Sequence, residues 1–332
     1  MKKKIVLLYN LNRWLEEYEA DFDSELTINC LHNSINKNYN WIKIEANRNI
    51  SKWLDNINEL KPDIVFNVTE MFYWASRESF VPSLLEQLEI KYTWPGPLEL
   101  MNSHNKSLTK LILNNNQNIL MPKWYIIKNT EDLNKILLHD LDFPYICKLN
   151  SEWSSMWMDE DCIVYNKNNL SIQINKLLSK YNSNILIEKY VDWRDLSITF
   201  IEWLWIMEPI EYLYPDSNIY DYKLKTKDNN QVIVKIAENL DENIINNFLK
   251  ISKDILDILD INWYCRIDFR LDKNNNIYFL ELNSQVSFHP DGAFIWWAKT
   301  KWYSFDDVVN HIISYSLTNE KRVSNYWVKN IF

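Results

Sequence analysis

Residues 263–285, WYCRIDFRLDKNNNIYFLELNSQ, are the stretch of sequence that decides the fold. Residues 265–271 alternate between apolar and charged side chains, a period of two that is typical of a strand with one buried face. Residues 278–283 alternate in the same way, and the turn formers of 272–276 lie between the two segments. The stretch therefore predicts a β-hairpin.

The register of this hairpin decides which side chains meet on its polar face. If Asp268 lies opposite Glu281, then Arg266 must lie opposite Asn283, because the residue numbers of antiparallel pairs have a constant sum. The polar face then carries two carboxylates, an amide and a guanidinium. The other face of the second strand is predicted to carry Tyr278, Leu280 and Leu282.

These polar groups suit the chemistry of phosphoryl transfer. Two carboxylates and a carboxamide are hard oxygen donors of the kind that hold Mg²⁺ against a substrate phosphate. A neighbouring arginine suits the negative charge that develops on a transferring phosphoryl group. The alternative interpretation is a solvated hairpin with ordinary cross-strand charge pairs, so the rest of the chain has to decide.

The length and charge of the chain exclude several classes of protein. A chain of 332 residues is long enough for two or three domains, and 47% hydrophobic residues indicate a globular protein. A net charge of -9 argues against nucleic acid as a partner and leaves small molecules or protein. The apolar run after the N terminus is too short for a signal peptide or a membrane span, and the four scattered cysteines form no zinc or redox motif. These features predict a cytoplasmic protein with no membrane partner.

The order of strands and helices predicts an α/β start followed by mixed α+β structure. Strands are expected at 4–9 and 63–68, with helices at 23–36 and 79–88, which is a βαβ layout. The remaining expected elements are helices at 100–113, 170–178, 243–259 and 305–317, and strands at 145–149, 185–191, 197–208 and 210–214. Lys148 interrupts an otherwise apolar strand, so it either binds an anion or reaches solvent with its tip.

This order of elements and motifs resembles an ATP-grasp enzyme, in particular the D-alanine-D-alanine ligases and their close relatives. The motifs that carry the resemblance are VFNVTE (65–70), RESFVPSLLEQLEIKYT (77–93), NKSLTK (105–110), FPYICKLNSEWSSMWM (143–158), ILIEKYVDWRDL (185–196), YDYKLK (220–225), CRIDF (265–269) and FLELN (279–283). The resemblance implies an ATP-grasp fold with a Rossmann-like N-terminal domain and two α+β lobes that clamp ATP. The implied domains are 1–101, a central lobe at 102–187, and a C-terminal lobe with the metal site at 188–332.

The resemblance also implies roles for the residues of the hairpin. Arg266 would stabilise the oxyanion that forms during the reaction. Asp268, Glu281 and Asn283 would hold two Mg²⁺ ions, for which Mn²⁺ is an alternative.

ATP itself would be bound by lysines and by the end of a strand. Lys106 and Lys148 would contact its phosphates, and Lys225 would reach the γ-phosphate. The other implied residues are Glu188, Lys189, Tyr190 and Val191 for the adenine, Asp195 for the ribose, and Ser154 and Ser155 in the loop that closes over the phosphates.

The implied activity is that of a carboxylate-amine ligase. The carboxylate of one amino acid takes the γ-phosphoryl group of ATP to give an acylphosphate, and the amine of a second amino acid then displaces phosphate. Three departures from the family pattern lie where the amino acids bind: Thr226 in place of a tyrosine, residues 69–71 in place of a His-Gly pair, and residues 284–292 in place of a Pro-Gly. Synthesis of a peptidoglycan precursor, ligation of a different amino-acid pair and an inactive nucleotide-binding homologue therefore stay open, as does a homodimer.

The counts of glycine and tryptophan are abnormal. Average usage predicts about 23 glycines in a chain of this length, but the chain has 2 glycines and 16 tryptophans. The tryptophans that fall where the family has glycine are Trp74, Trp94, Trp153, Trp157, Trp193 and Trp263. One interpretation is that the gene uses a code in which UGA means glycine. The alternatives are a pseudoenzyme with a filled site, and a Trp-rich module that binds carbohydrate or a membrane interface.

Overall fold

The computed structural model describes residues 2–72, 75–93, 95–151, 160–181, 183–202, 204–206, 208–214 and 232–318. Its strands are β1 (Lys4–Tyr9), β2 (Asn40–Glu45), β3 (Ile64–Val68), β4 (Trp124–Ile127), β5 (Tyr145–Leu149), β6 (Ile163–Val164), β7 (Ile185–Lys189), β8 (Arg194–Ile201), β9 (Trp205–Ile206), β10 (Ile210–Leu213), β11 (Ile233–Ile236), β12 (Tyr264–Leu271) and β13 (Ile277–Asn283). Its α-helices are α1 (Glu25–Asn38), α2 (Ile50–Leu60), α3 (Arg77–Gln87), α4 (Pro97–His104), α5 (Lys106–Leu113), α6 (Thr130–Leu137), α7 (Lys167–Lys180), α8 (Glu242–Leu259), α9 (Ala293–Thr300) and α10 (Phe305–Thr318). None of these helices has the length and apolar character needed to cross a bilayer.

The chain divides into two compact units. One consists of Met1–Met101 together with Gln285–Phe332, and the other of Asn102–Ser284. The division of the chain into three domains stays a prediction.

The first unit is built on a parallel sheet with the strand order β2-β1-β3. β1 pairs in parallel with both neighbours, as the βαβ layout predicts. β3 is buried along its whole length, which explains why its sequence is an almost continuous apolar run. Helix α1 begins after Ser24, whose side chain accepts a hydrogen bond from the N–H of Thr27 at 3.2 Å.

The second unit contains two antiparallel sheets, each with one face covered by helices. The smaller sheet has the order β4-β7-β5-β6. Alternate residues of β5 and β7 pack against α6 and α7 in one apolar core. The members of this core on the two strands are Tyr145, Cys147, Leu149, Ile185 and Ile187. The intervening side chains, Lys148 and Glu188 among them, therefore belong to the opposite face of the sheet.

The larger sheet has the order β11-β10-β8-β12-β13, with β9 beside β8. Its apolar face packs against α8 and the end of α5. The core side chains on β8, β12 and β13 are Leu196, Ile198, Phe200, Cys265, Ile267, Phe269, Leu271, Ile277, Phe279 and Leu282. The side chains between them form a polar face, which is the face that the sequence predicts to be functional.

The hairpin of β12 and β13 confirms the predicted register. Arg266 lies opposite Asn283, and Asp268 lies opposite Glu281. The register then shifts by one residue, so that Phe269 pairs with Phe279 and Leu280 is the extra residue of a β-bulge.

This bulge makes one expectation for the second strand wrong. Ile277, Phe279 and Leu282 line the core, whereas Tyr278 and Leu280 do not join it. The extra residue reverses the side on which the residues before it lie, which regular alternation could not anticipate.

Two other elements differ from their predicted form. The helix expected at 100–113 is two helices, because the extended backbone of Asn105 ends α4 and its side chain caps α5 by accepting from the N–H of Leu108. The strand expected at 197–208 is the pair β8 and β9. Between them the N–H of Leu204 donates to the carbonyl of Ile201 at 2.8 Å and closes a turn.

Three tryptophans have backbone conformations that favour glycine. The φ angles of Trp14, Trp193 and Trp302 are 57°, 142° and 68°, and all three side chains are exposed. Trp193 is one of the six tryptophans at family glycine positions, whereas Trp74, Trp94, Trp153 and Trp157 lie outside the described residues.

Trp263 differs from these three tryptophans in its backbone and its burial, and its assignment to a family glycine position stays a prediction. It is not among the described residues with positive φ. Its indole is 2% exposed and is among the largest buried side chains.

Replacing Trp193 or Trp302 by glycine is expected to stabilise the protein. A side chain in the left-handed region costs about 1–2 kcal/mol, and the higher chain entropy of glycine offsets about half of that gain. Thermal unfolding of each variant measures the effect. Trp263→Gly is the control and should lower the stability by about 3–5 kcal/mol, since it leaves a cavity. Sequencing the gene is the parallel test, and UGG codons at Trp193 and Trp302 would contradict the recoding interpretation.

Candidate active site

The polar face of the larger sheet brings the hairpin residues into direct contact. The Arg266 guanidinium donates to both carboxylate oxygens of Asp268, from Nε at 2.7 Å and from Nη2 at 2.8 Å. Nδ2 of Asn283 donates to Oδ2 of the same carboxylate at 2.9 Å. The bidentate pair fixes the orientation of both side chains, as is usual for arginine and carboxylate groups. Arg266, Asp268 and Asn283 thus form one cluster, and Glu281, the fourth predicted site residue of the hairpin, lies opposite Asp268.

The electrostatics of this cluster favour an added cation. Burial raises the pKa of Asp268, Arg266 acts against that shift, and the neighbouring Glu281 adds to it. In turn, Asp268 raises the pKa of Arg266 well above its usual value, although burial opposes this change. Glu281, the second carboxylate of the cluster, lies near Lys106, whose Nζ atom is 3.5 Å from its Oε2. Two carboxylates and an amide oxygen are a donor set that fits Mg²⁺.

Within the described part of the chain, His, Cys, Asp and Glu side chains do not gather in threes as metal ligands. A metal at this face would therefore depend on Asn283 as well as on the two carboxylates.

Asp195 lies on the same face of the larger sheet, two positions further along. It pairs with Arg270 of β12 in the register of the sheet, and Nη2 of Arg270 lies 3.2 Å from its carboxylate. The hydroxyl of Tyr214 donates to Oδ2 of Asp195. Asp195 is therefore held by two donors at the end of the polar face, where the ribose of a nucleotide could reach it.

The smaller sheet carries the second half of the site. The Nζ atom of Lys148 lies 2.7 Å from Oε2 of Glu188, and both side chains are buried on the face opposite the apolar core. Glu188 is 1% exposed, so its charge depends on these contacts. Burial alone would raise the pKa of Glu188, but Lys110 and Lys148 lower it to about 2. The interruption of the apolar strand by Lys148 is thus explained by an ion pair rather than by a tip in solvent.

Helix α5 supplies two lysines to the space between the sheets. Lys106 is 3% exposed, and its Nζ atom lies 3.5 Å from Oε2 of Glu281 on β13. Lys110, one turn further on, lies 2.7 Å from Oε1 of Glu188 on β7. Burial lowers the pKa of Lys110, whereas Glu188 acts in the opposite direction. The helix therefore links the carboxylates of both sheets through residues four positions apart.

The segment after Glu188, which is predicted to hold the adenine, leaves the end of β7 with its backbone hydrogen-bonded to neighbouring loops. The N–H of Lys189 donates to the carbonyl of Lys123 at 2.8 Å, and the N–H of Tyr190 to that of Pro144 at 3.0 Å. Val191 follows directly after these two residues. The Lys189 side chain donates to the carbonyls of Asp142 and Phe143, at 2.6 and 3.0 Å. These bonds connect the end of β7 to the loop that precedes β5.

The structure places most of the predicted site residues within one unit. Ser154, Ser155 and Lys225 lie outside the described residues. Lys110 and Arg270 belong to the described site but escaped sequence reasoning. The spacing of Lys110 from Lys106 in the motif NKSLTK was the available signal for the first, and the alternation of β12 was the signal for the second.

The fold of the chain is that of known ATP-grasp ligases. It matches a D-alanine--D-alanine ligase from Bacillus anthracis complexed with ATP, with a TM-score of 0.73 and 20% identity over 95% of this chain and 97% of the other. It also matches a D-Ala:D-Ser ligase from Enterococcus faecalis, with a TM-score of 0.72 and 16% identity over 95% of this chain and 100% of the other. The architecture and the polar site between its sheets thus define an ATP-grasp protein.

The sequence comparisons identify the family within that class. The family model for the D-ala D-ala ligase C-terminus matches residues 111–314. The D-alanine--D-alanine ligase of Clostridium botulinum (strain Loch Maree / Type A3) is 28% identical over 243 residues, which are 73% of this chain and 77% of the relative. The chain therefore belongs to the D-alanine-D-alanine ligase family. It is an ATP-dependent ligase that forms a peptide-type carbon-nitrogen bond.

Replacing Asp195 by alanine is expected to raise the KM for ATP about tenfold and to change kcat less. Contacts with the ribose are similar in the ground state and in the transition state, so their loss weakens binding more than it slows chemistry. Steady-state kinetics with varied ATP measure both constants. Tyr214→Phe keeps the carboxylate and removes only the hydroxyl that donates to Asp195 and accepts from Arg270, so it should have a smaller effect. A loss confined to kcat would contradict the role in ribose binding.

Proposed function

We propose that this enzyme joins two amino acids through an acylphosphate, and that a pair of D-amino acids such as D-alanine is the substrate. The observation that carries the proposal is the Arg266, Asp268, Glu281 and Asn283 cluster on one face of the hairpin. Its charge and donor set suit an ATP-dependent transfer of phosphate to a carboxylate. The product fits the synthesis of a peptidoglycan precursor, and the enzyme would make it in the cytoplasm.

The metal site of this proposal consists of Asp268, Glu281 and Asn283. When bound there, two Mg²⁺ ions, or Mn²⁺ in their place, would neutralise negative charge on the phosphates. Arg266 is held by Asp268 in a fixed orientation, so that its guanidinium is already positioned before the substrate binds. Its role is to stabilise the oxyanion that forms at the attacked carboxyl carbon.

The remaining residues bind and orient ATP. Lys106 and Lys148 carry positive charge into the buried space between the two sheets. When ATP binds there, its phosphate oxygens would replace the carboxylates that these two lysines now contact. The segment from Glu188 to Val191 offers extended backbone to the adenine, and Asp195 offers its carboxylate to the ribose. Ser154, Ser155 and Lys225 complete the proposal from sequence, with Lys225 at the γ-phosphate and the two serines over the phosphates.

A different pair of amino acids is the second candidate. The departures from the family pattern at Thr69, Glu70 and Met71 lie in the first unit. There Glu70 is close to a buried cluster in which Arg77 contacts Asp21 at 2.6 Å and Glu70 at 3.4 Å. Burial and the neighbouring carboxylate of Glu78 raise the pKa of Glu70 well above its usual value. This acidic surrounding replaces the His-Gly pair of the family, which supports an altered choice of amino acid. We further propose that the enzyme can act as a homodimer, without nucleic acid or membrane as a partner.

Release of ADP in the presence of single amino acids and pairs tests the proposed reaction. We expect turnover with D-alanine or with another D-amino-acid pair, and mass spectrometry of the product names the pair. Turnover only with L-amino acids would favour the second candidate. Binding of ATP without turnover on a full panel of D- and L-amino acids would instead indicate an inactive nucleotide-binding homologue.

Replacing Glu281 by glutamine is expected to lower the rate of ADP release by about 10²–10³-fold. The substitution keeps the size of the side chain but removes the charge that a bridging metal ligand needs. A coupled assay measures the rate, and thermal unfolding checks that the fold persists. Glu131→Gln, at an exposed glutamate paired with Lys135, is the matched control. Unchanged turnover in Glu281→Gln would remove this residue from the site.

A further inference from the structure

One carboxylate in the second unit is shared by two ammonium groups. Oε1 of Glu188 lies 2.7 Å from Nζ of Lys110, and Oε2 lies 2.7 Å from Nζ of Lys148. Lys110 is 0% exposed and Glu188 is 1% exposed, whereas Lys148 is the least buried of the three at 8%. Lys148 is therefore the member of this triad that can most easily change its partner.

The stability of the fold does not explain the presence of Lys110. Taking a charged group out of water costs several kcal/mol, and an apolar side chain of similar volume is often at least as stable as a buried ion pair. The neighbourhood of Lys110 compensates this cost with two further contacts, one to the carbonyl of Phe279 at 3.4 Å and one to the ring of Phe279 at 5.2 Å. A buried charge with this much support indicates a function that needs the charge itself.

The positions of the three groups suggest what that function is. In the proposed function, Lys148 binds a phosphate of ATP, so it must give up part of its contact with Glu188. If Lys148 were the only partner, Glu188 would then be left as a buried and unpaired anion, which is strongly unfavourable. Lys110 contacts the other carboxylate oxygen and lies on α5, away from the β5 strand that carries Lys148. It can therefore stay with Glu188 when Lys148 moves.

We propose that Lys110 is a positioning residue that keeps Glu188 ionised and paired, so that Lys148 is released to the phosphate of bound ATP. This inference rests on the proposed role of Lys148 in ATP binding. Lys110 itself does not contact the nucleotide. It acts through Glu188, and the energetic coupling between these two residues is the property that distinguishes it from a lysine with a purely structural role.

Lys110→Met tests the proposal, since methionine is unbranched and fills much of the same space. Titration calorimetry with a non-hydrolysable ATP analogue in the presence of Mg²⁺ measures nucleotide binding directly. We expect the dissociation constant to rise about tenfold or more, because Lys148 is then retained by an otherwise unpaired Glu188. Lys253→Met is the matched control, because Lys253 is an exposed helical lysine paired with Asp257, and it should bind the analogue as the unmodified enzyme does.

The double variant Lys110→Met with Glu188→Gln provides the decisive comparison. Without the Glu188 carboxylate the ion pair that retains Lys148 is lost, so Lys110→Met should cost little affinity when it is made in a Glu188→Gln chain. Equal losses in the two backgrounds would overturn the proposal, because they would show that Lys110 acts independently of Glu188. If Lys110→Met alone does not fold, a tenfold loss of affinity from Glu188→Gln to the double variant still overturns the proposal, and recovery of folding in the double variant supports the coupling of Lys110 to Glu188.

Two further outcomes separate this inference from the proposed function. If Lys110→Met melts at a lower temperature but binds the analogue with unchanged affinity, then Lys110 is structural and the inference is wrong while the proposed function stands. If the unmodified enzyme does not bind the analogue at all, the proposed function fails first and the inference fails with it.

Discussion

The alternation of side chains in the larger sheet is the constraint on which the rest of the structure depends. Residues on β8 and β12 point in turn towards the helices and towards the site, and β13 does the same on each side of its bulge, so one set forms the core and the other forms the site. A slip of one residue would bury Asp268 and expose Ile267. The apolar contacts with α8 therefore fix the positions of the polar groups, although none of those contacts involves a site residue.

The hairpin and the pairing of its polar residues were predictable because their signals are local, whereas the bulge at Leu280 was not. Charged residues at every second position, a turn in the middle and the constant sum of paired residue numbers were enough to bring Arg266, Asp268 and Asn283 together. The split of the predicted helix at Asn105 was harder to see, because an asparagine is tolerated inside a helix and caps one only when the chain around it turns. The contact between Lys110 and Glu188 could not be predicted, since the two residues are far apart in sequence and only the fold brings them together.

The tryptophans present a conflict between sequence and backbone that the fold makes concrete. Trp193 and Trp302 have conformations that a side chain destabilises, and both are exposed, so packing offsets little of that cost; the contact is Nζ of Lys273 over the Trp193 ring at 5.4 Å. Trp263 shows the opposite case, because its indole is buried in the interior. Tryptophan in this chain is therefore found both at strained, exposed positions and at a buried position. The family pattern of glycines alone does not distinguish these two environments.

The bulge at Leu280 has a consequence for the shape of the site rather than for its pairing. Removing this one residue would bring both ends of the hairpin into a single register, with Glu281 still opposite Asp268 and Asn283 still opposite Arg266. The pairs would survive, so the extra residue is not needed to form them. A bulge adds local twist and bends the strand that carries it. The curvature of β13, and with it the direction in which Glu281 projects, therefore depends on the number of residues in the strand. It does not depend on which residues are the candidate metal ligands.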